Sequence, residues 1–91
     1  MNRRINLLEE ALLKSRAAFE RAPNMFPLAS VIAQIQYLLD VESGGAVDES
    51  RLATVSIGQI AARDIDAFDE SLAELLHEVS AEARVMLSEE R

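Results

Sequence analysis

Residues 28–41 read LASVIAQIQYLLDV, a stretch that carries no charge before Asp40. Its large apolar residues recur at the three- and four-residue spacing of an α-helix. They are Leu28, Val31, Ile32, Ile35, Leu38 and Leu39. Ala29 and Ala33 extend the apolar surface around most of the circumference, and a helix of that kind is usually buried among its neighbours. We therefore predict an all-α fold with this helix, the second in the chain, at its centre.

Prolines and glycines mark where this second helix begins and ends. The first helix, residues 3–21, stops before Pro23, because the residue that precedes a proline is pushed out of the α region. Pro27 suits the first position of the second helix. Gly44 and Gly45 follow that helix, and one of them can take the left-handed conformation that often terminates a helix.

Helical periodicity and capping residues predict the start of the first helix and the extent of the third. Asn2 is the expected N-cap of the first. The third helix covers about residues 50–62, with Asp48 or Ser50 as its N-cap. Gly58 lies inside it, where glycine costs about 1 kcal/mol relative to alanine, so we expect close packing against a neighbouring helix at this position.

A short acidic linker, residues 63–68, leads to the last helix, for which Asp69 is the expected N-cap. The apolar stripe of this helix continues to Leu87, and we expect the chain to fray over residues 88–91. Ninety-one residues provide enough apolar surface for one core but not for two. The sequence therefore predicts a small single-domain four-helix bundle over residues 1–91.

The composition excludes several classes of protein. There is no cysteine, which removes disulfides, thiolate nucleophiles and cysteine-based zinc sites. The longest uncharged stretch contains two prolines, and its apolar part is too short to span a bilayer. We therefore expect a cytoplasmic protein without a membrane segment.

The charge is distributed unevenly along the chain. Residues 1–22 hold five basic and three acidic residues, whereas residues 40–91 hold thirteen acidic and four basic ones. An acidic surface repels nucleic-acid phosphates and attracts basic proteins, although it can also serve solubility alone. We expect a protein partner and no nucleic acid.

No set of residues has the spacing of a catalytic or metal site. His77 is the only histidine, and Glu74 gives one copy of the Glu-x-x-His pair that di-iron bundles need twice. A calcium loop that begins at Asp64 would need glycine and glutamate where Asp69 and Leu75 stand. We predict no catalytic, cofactor or metal site, and hence a protein that is not an enzyme.

Two groups of residues are candidates for contact with a partner. They comprise Gln36, Tyr37, Asp64, Asp66, Phe68 and Glu70. Phe68 stands in an acidic linker, so it either packs under the bundle or remains exposed as an anchor for a partner. Tyr37 either presents its hydroxyl at the surface or belongs to the core.

Three short motifs resemble a known family. They are QIQYL at residues 34–38, IGQIAARDID at residues 57–66 and DESL at residues 69–72. Together they resemble the small helical immunity proteins of type VI secretion, in the branch that protects against a toxin that hydrolyses NAD and NADP. The resemblance implies a four-helix protein that docks on a cognate effector toxin domain and blocks its NAD pocket.

Two other functions are compatible with the sequence. A homodimeric helical adaptor or structural subunit would bury part of the second helix against a second copy, so a homodimer of the free protein is possible. A histidine phosphotransfer module built on His77 is the third alternative, but no other catalytic residue is spaced to act with this histidine.

Overall fold

The computed structural model describes residues 2–44 and 49–89, and none of these residues belongs to a β-strand. The elements are α1 (Arg3–Arg21), α2 (Pro27–Glu42), a 3-10 helix (Glu49–Thr54), α3 (Ile57–Ile60), a π turn (Ala61–Ile65) and α4 (Glu70–Glu89). The predicted all-α fold with four helices is confirmed, and α3 is the shortest of them. No helix in the described ranges is both long enough and apolar enough to cross a membrane.

The helix ends follow the expected capping chemistry. The side chain of Asn2 accepts a hydrogen bond from the backbone N–H of Ile5 at 3.1 Å. Asp69 accepts one in the same way from the N–H of Leu72 at 3.0 Å. Gly44 has φ +80°, a conformation that is strained for any residue with a Cβ. These three predictions are confirmed, and local residues therefore determine the start of α1, the end of α2 and the start of α4.

Ion pairs between helix ends show how the three long helices run. Arg4, at the start of α1, pairs with Glu42 at the end of α2 (2.9 Å) and with Glu82 late in α4 (2.6 Å). Arg21, at the end of α1, lies 3.5 Å from the carboxylate of Asp69, just before α4. Helix α1 therefore runs antiparallel to both α2 and α4.

The central element of the bundle is α4, which packs against α1, the 3-10 helix, α3 and the π turn. It buries Leu72, Ala73, Leu75, Leu76, Val79, Ala83 and Met86. Helix α2 packs mainly on α1 and buries only Leu28, Val31, Ile35 and Leu38. The prediction that α2 is central is wrong. Ala29 and Ala33 face solvent instead, where their small apolar surface costs little.

The predicted third helix, residues 50–62, is not continuous. A bond from α2 interrupts it: the side-chain carbonyl of Gln34 accepts a hydrogen bond from the N–H of Ser56 at 2.8 Å. The amide of Gln34 also donates to the hydroxyl of Ser56 at 3.1 Å. Ser50 lies within the 3-10 helix and does not cap an α-helix, whereas Asp48 lies outside the described residues.

The linker predicted at residues 63–68 and the fraying predicted at residues 88–91 also need correction. The first part of the linker belongs to the π turn, because Ile65 is fully buried and ties that segment to the core. Glu89 is helical, and its carboxylate accepts two hydrogen bonds from Arg4 at 2.9 and 3.2 Å. Residues 90 and 91 lie outside the part of the chain that the structure describes.

Candidate partner-binding site

Four of the six predicted residues lie close together, and we call Asp64, Asp66, Phe68 and Glu70 the acidic patch. They span the π turn, the following turn and the first residue of α4. The side chain of Asp64 is 25% exposed and pairs with Arg63 at 2.9 Å. Asp66 and Glu70 are exposed, and neither forms an ion pair within the described residues. The patch therefore presents two free carboxylates beside an aromatic ring.

Phe68 is 37% exposed, so the structure lies between the two alternatives for this residue. Its backbone N–H donates to the carbonyl of Ile65 at 2.9 Å, which fixes the turn that carries the ring. Part of the ring is covered by the bundle and part faces solvent. A partly covered aromatic side chain on a hydrogen-bonded turn has less conformational entropy to lose when a partner covers the rest, which is a property of good interface anchors.

The neighbouring carboxylate of Asp69 is already engaged. It caps α4 and also lies 3.5 Å from the guanidinium of Arg21. Asp69 therefore holds the acidic patch in place at the end of the bundle, while the carboxylates of Asp66 and Glu70 remain open to a partner.

The other two predicted residues, Gln36 and Tyr37, form a separate group on α2. Gln36 is exposed and Tyr37 is half-buried. The guanidinium of Arg51 lies 5.0 Å from the centre of the Tyr37 ring, a cation–π distance that links α2 to the 3-10 helix. Tyr37 thus contributes to the packing between α2 and the 3-10 helix, and part of its side chain remains at the surface.

Gln36 belongs to an uncharged strip that the sequence analysis did not single out. We call this strip the α2 face, and it consists of Phe26, Ala29, Ser30, Ala33 and Gln36, all exposed. Phe26 is the most conspicuous member, because 73% of its surface faces solvent. The signal in the sequence was its place between Pro23 and Pro27, in a connection too short to fold a large side chain into the core.

Comparison with known proteins finds one family that matches most of the chain. A model of the Tsi6 family matches residues 3–85, which include α1, α2, α3, the π turn and most of α4. Neither the curated proteins nor the solved structures contain a significant match to the chain. The matched region contains the acidic patch, the α2 face and all three motifs that resemble type VI immunity proteins. The chain therefore belongs to the Tsi6 family of type VI secretion immunity proteins.

Proposed function

We propose that this protein neutralises a cognate secreted toxin that hydrolyses NAD or NADP, by binding over the active site of the toxin. Membership of the Tsi6 family over residues 3–85 is the observation that carries the proposal. The specificity for an NAD-hydrolysing toxin is supported by the motifs at residues 34–38 and 57–66. In this proposal the protein acts as a stoichiometric inhibitor and not as an enzyme.

The acidic patch is the surface that we propose for the toxin. Asp66 and Glu70 attract a basic surface, and Phe68 provides the apolar contact between them. Electrostatic attraction of this kind mainly speeds association, which suits an inhibitor that must reach a toxin before damage is done. The toxin domain that fits this surface has basic side chains around an apolar depression near its NAD pocket.

The α2 face is a second candidate surface, and it favours the alternative in which two copies of the chain associate. It is uncharged and exposes Phe26, whereas the chain as a whole has a net charge of −7. Sedimentation velocity measured with the isolated protein distinguishes the two functions. A stable dimer that dissociates when Phe26 is replaced by aspartate would support the homodimeric adaptor.

We further propose that the protein acts in the cytoplasm. A chain without cysteine is compatible with a reducing compartment. NAD and NADP, the substrates of the proposed toxin, are cytoplasmic metabolites, so an inhibitor of the toxin is needed there.

Complex formation with a candidate effector, the product of the gene immediately upstream where that gene encodes a secreted toxin, tests this function. The toxin domain is expressed with a substitution that abolishes its catalytic activity and is mixed with the purified protein. The mixture is then separated by size-exclusion chromatography. We expect a one-to-one complex that survives dilution to nanomolar concentration. If the two proteins elute separately at micromolar concentration, the chain has another partner.

A further inference from the structure

An open groove of about 470 Å³ lies between α4 and the segment from the 3-10 helix to the π turn. Its walls are about equally polar and apolar, and the large apolar side chains among them are those of Leu52, Val55 and Leu87. Gly58 also lines it, and the absence of a side chain there lets α3 approach α4 closely. A Cβ at this position would lie 2.6 Å from the hydroxyl of Ser80. One part of the groove therefore lies where α3 packs closely on α4.

The polar side of the groove is unlike the rest of the second half of the chain. Its described lining includes Arg84, His77 and Gln59 but no aspartate or glutamate. Residues 40–91 hold thirteen acidic residues, and Arg84 is the only basic residue between Arg63 and Arg91. The groove is thus a local interruption of an acidic surface.

The guanidinium of Arg84 is available to a partner. The residue is exposed and has no ion pair with any residue that the structure describes. Other arginines are already engaged: Arg4, Arg21 and Arg63 with carboxylates, and Arg51 with an aromatic ring. A free guanidinium beside the apolar side chains of Leu52 and Leu87 offers the planar two-pronged geometry that suits a carboxylate.

We propose that this groove receives a segment of the toxin in which a large apolar side chain adjoins a carboxylate. The apolar side chain packs on Leu52 and Leu87, and the carboxylate pairs with Arg84. Most charged residues of the second half of the chain are acidic and repel an acidic residue of the toxin, so its pairing with Arg84 helps to fix the orientation of the complex. This role of the groove rests on the proposed function, because the toxin supplies the segment.

The test measures binding kinetics against the immobilised toxin domain. Arg84→Glu reverses the charge at the groove, and Ala62→Phe fills the groove from an exposed position that leaves the core intact. Arg16→Glu on α1 is the matched control, because Arg16 is likewise exposed and has no ion pair among the described residues. Thermal melting checks that each variant is folded.

We expect both groove variants to dissociate about tenfold faster or more, since a central contact acts on the off-rate. Arg84→Lys should lie between them and the wild type, because a lysine keeps the charge but not the two-pronged geometry. Arg16→Glu should change the dissociation rate by less than about twofold.

The outcomes separate the role of the groove from the proposed function. If the wild type does not bind the toxin, the proposed function is wrong. If the wild type binds the toxin and both groove variants bind it with the same kinetics, the inference about the groove is overturned. The same conclusion follows if Arg84→Glu and Arg16→Glu weaken binding equally. In both cases the proposed function stands. If the wild type forms a dimer and Arg84→Glu abolishes that dimer, the groove binds a second copy of the chain. This result would also overturn the inference that the groove receives a segment of the toxin.

Discussion

Ser15 shows how a single atom affects stability at the residue scale. It lies on the buried face of α1 and is the one polar side chain among the described residues that is fully buried. Its hydroxyl oxygen has no hydrogen-bond partner in the described part of the chain. A buried hydroxyl that has lost water without gaining a partner costs about 1–3 kcal/mol.

We expect Ser15→Ala to raise the free energy of unfolding by about 1–2 kcal/mol, because it removes the unpaired hydroxyl and improves helix propensity. Urea denaturation followed by circular dichroism measures the change. Ser88→Ala, at an exposed helical position, is the control for propensity alone and should change stability by less than about 0.5 kcal/mol. A less stable Ser15→Ala protein would show that the hydroxyl has a role in the fold.

At the scale of elements, the contact between α3 and α4 depends on Gly58. An alanine Cβ there would lie 2.6 Å from the Oγ of Ser80 and 3.1 Å from its Cβ. The hydroxyl can rotate away, but the Cβ of Ser80 is fixed to its helix. Close packing at Gly58 was predicted from its place inside a helical pattern, and the structure confirms it.

Gly58→Ala should lower the free energy of unfolding by about 1–2 kcal/mol, although alanine alone would favour the helix by about 1 kcal/mol. Ser80→Ala in the same chain should restore part of the loss, since it removes the nearer atom. A double-mutant cycle measured by urea denaturation should give a coupling above about 0.5 kcal/mol. If the two substitutions had independent effects, α3 and α4 would be able to move apart at Gly58 without a loss of stability.

The sequence predicted elements well where local patterns determine them and less well where distant contacts do. The period of α2, the stop at Pro23 and the cap at Asp69 are all local features. The interruption before α3 was missed because Gln34 reaches Ser56 from 22 positions away, and no local pattern shows that bond. The central position of α4 depends likewise on which neighbours it meets, not on its own hydrophobicity.

The candidate site, like the fold, was predicted from the sequence only where its residues are neighbours in the chain. Three acidic residues and Phe68 were expected together because they are neighbours in the chain. The α2 face and the groove were missed because the exposure of Phe26 and the isolation of Arg84 depend on how the helices are arranged. A surface that is built from several elements can be recognised only after the fold is known.

At the scale of the whole molecule, Arg4 joins the ends of all three long helices. Its guanidinium bonds to Glu42, Glu82 and Glu89, and its side chain is only 16% exposed. The pKa of Glu42 is held below its ordinary value of 4.5 by hydrogen bonds from Asn2 and from Arg4. The pKa of Glu89 is lowered by its hydrogen bond to Arg4. This end of the bundle is therefore held together by charge.

Arg4→Ala should lower the free energy of unfolding at pH 7 by about 2 kcal/mol, the scale of hydrogen bonds to charged groups. Carboxylates with a lowered pKa in the folded state stabilise it fully above about pH 4.5, and this contribution is lost as the pH falls through the lowered value. The difference between wild type and variant should therefore shrink as the pH falls below about 4.5 and through the lowered pKa values of these carboxyls.

Urea denaturation at pH 7, 4 and 3 measures that difference. Lys14→Ala is the control, because the pair of Lys14 with Glu10 is exposed on both sides and should contribute less than about 0.5 kcal/mol. An equal deficit for Arg4→Ala at pH 7 and pH 3 would mean that Arg4 stabilises the fold by packing and not by charge.

The acidic patch also acts at the scale of the whole molecule, because its charges contribute to the electrostatic field that a partner meets. Asp64→Lys combined with Asp66→Lys should slow association with the toxin and weaken the salt dependence of the association rate, because charges at the rim of an interface act mainly on the on-rate. Glu9→Lys with Glu20→Lys on α1 changes the net charge equally and should have a smaller effect. Surface plasmon resonance at low and high salt gives both rates.

If the double variant at Asp64 and Asp66 binds the toxin with unchanged kinetics, we would assign the interface to the α2 face instead. The corresponding test there is Gln36→Lys, which places a positive charge at the C-terminal end of that uncharged surface. A loss of binding in this variant, with the fold intact, would assign the toxin contact to α2.

The most direct test of the central proposal is a titration of toxin activity. The purified toxin domain hydrolyses NAD at a constant rate, and this protein is added in increasing amounts at a toxin concentration well above the dissociation constant. The rate of NAD loss should fall linearly and reach zero at one equivalent, because the inhibitor covers one active site per molecule. Undiminished hydrolysis at a large excess of the protein would contradict the proposal.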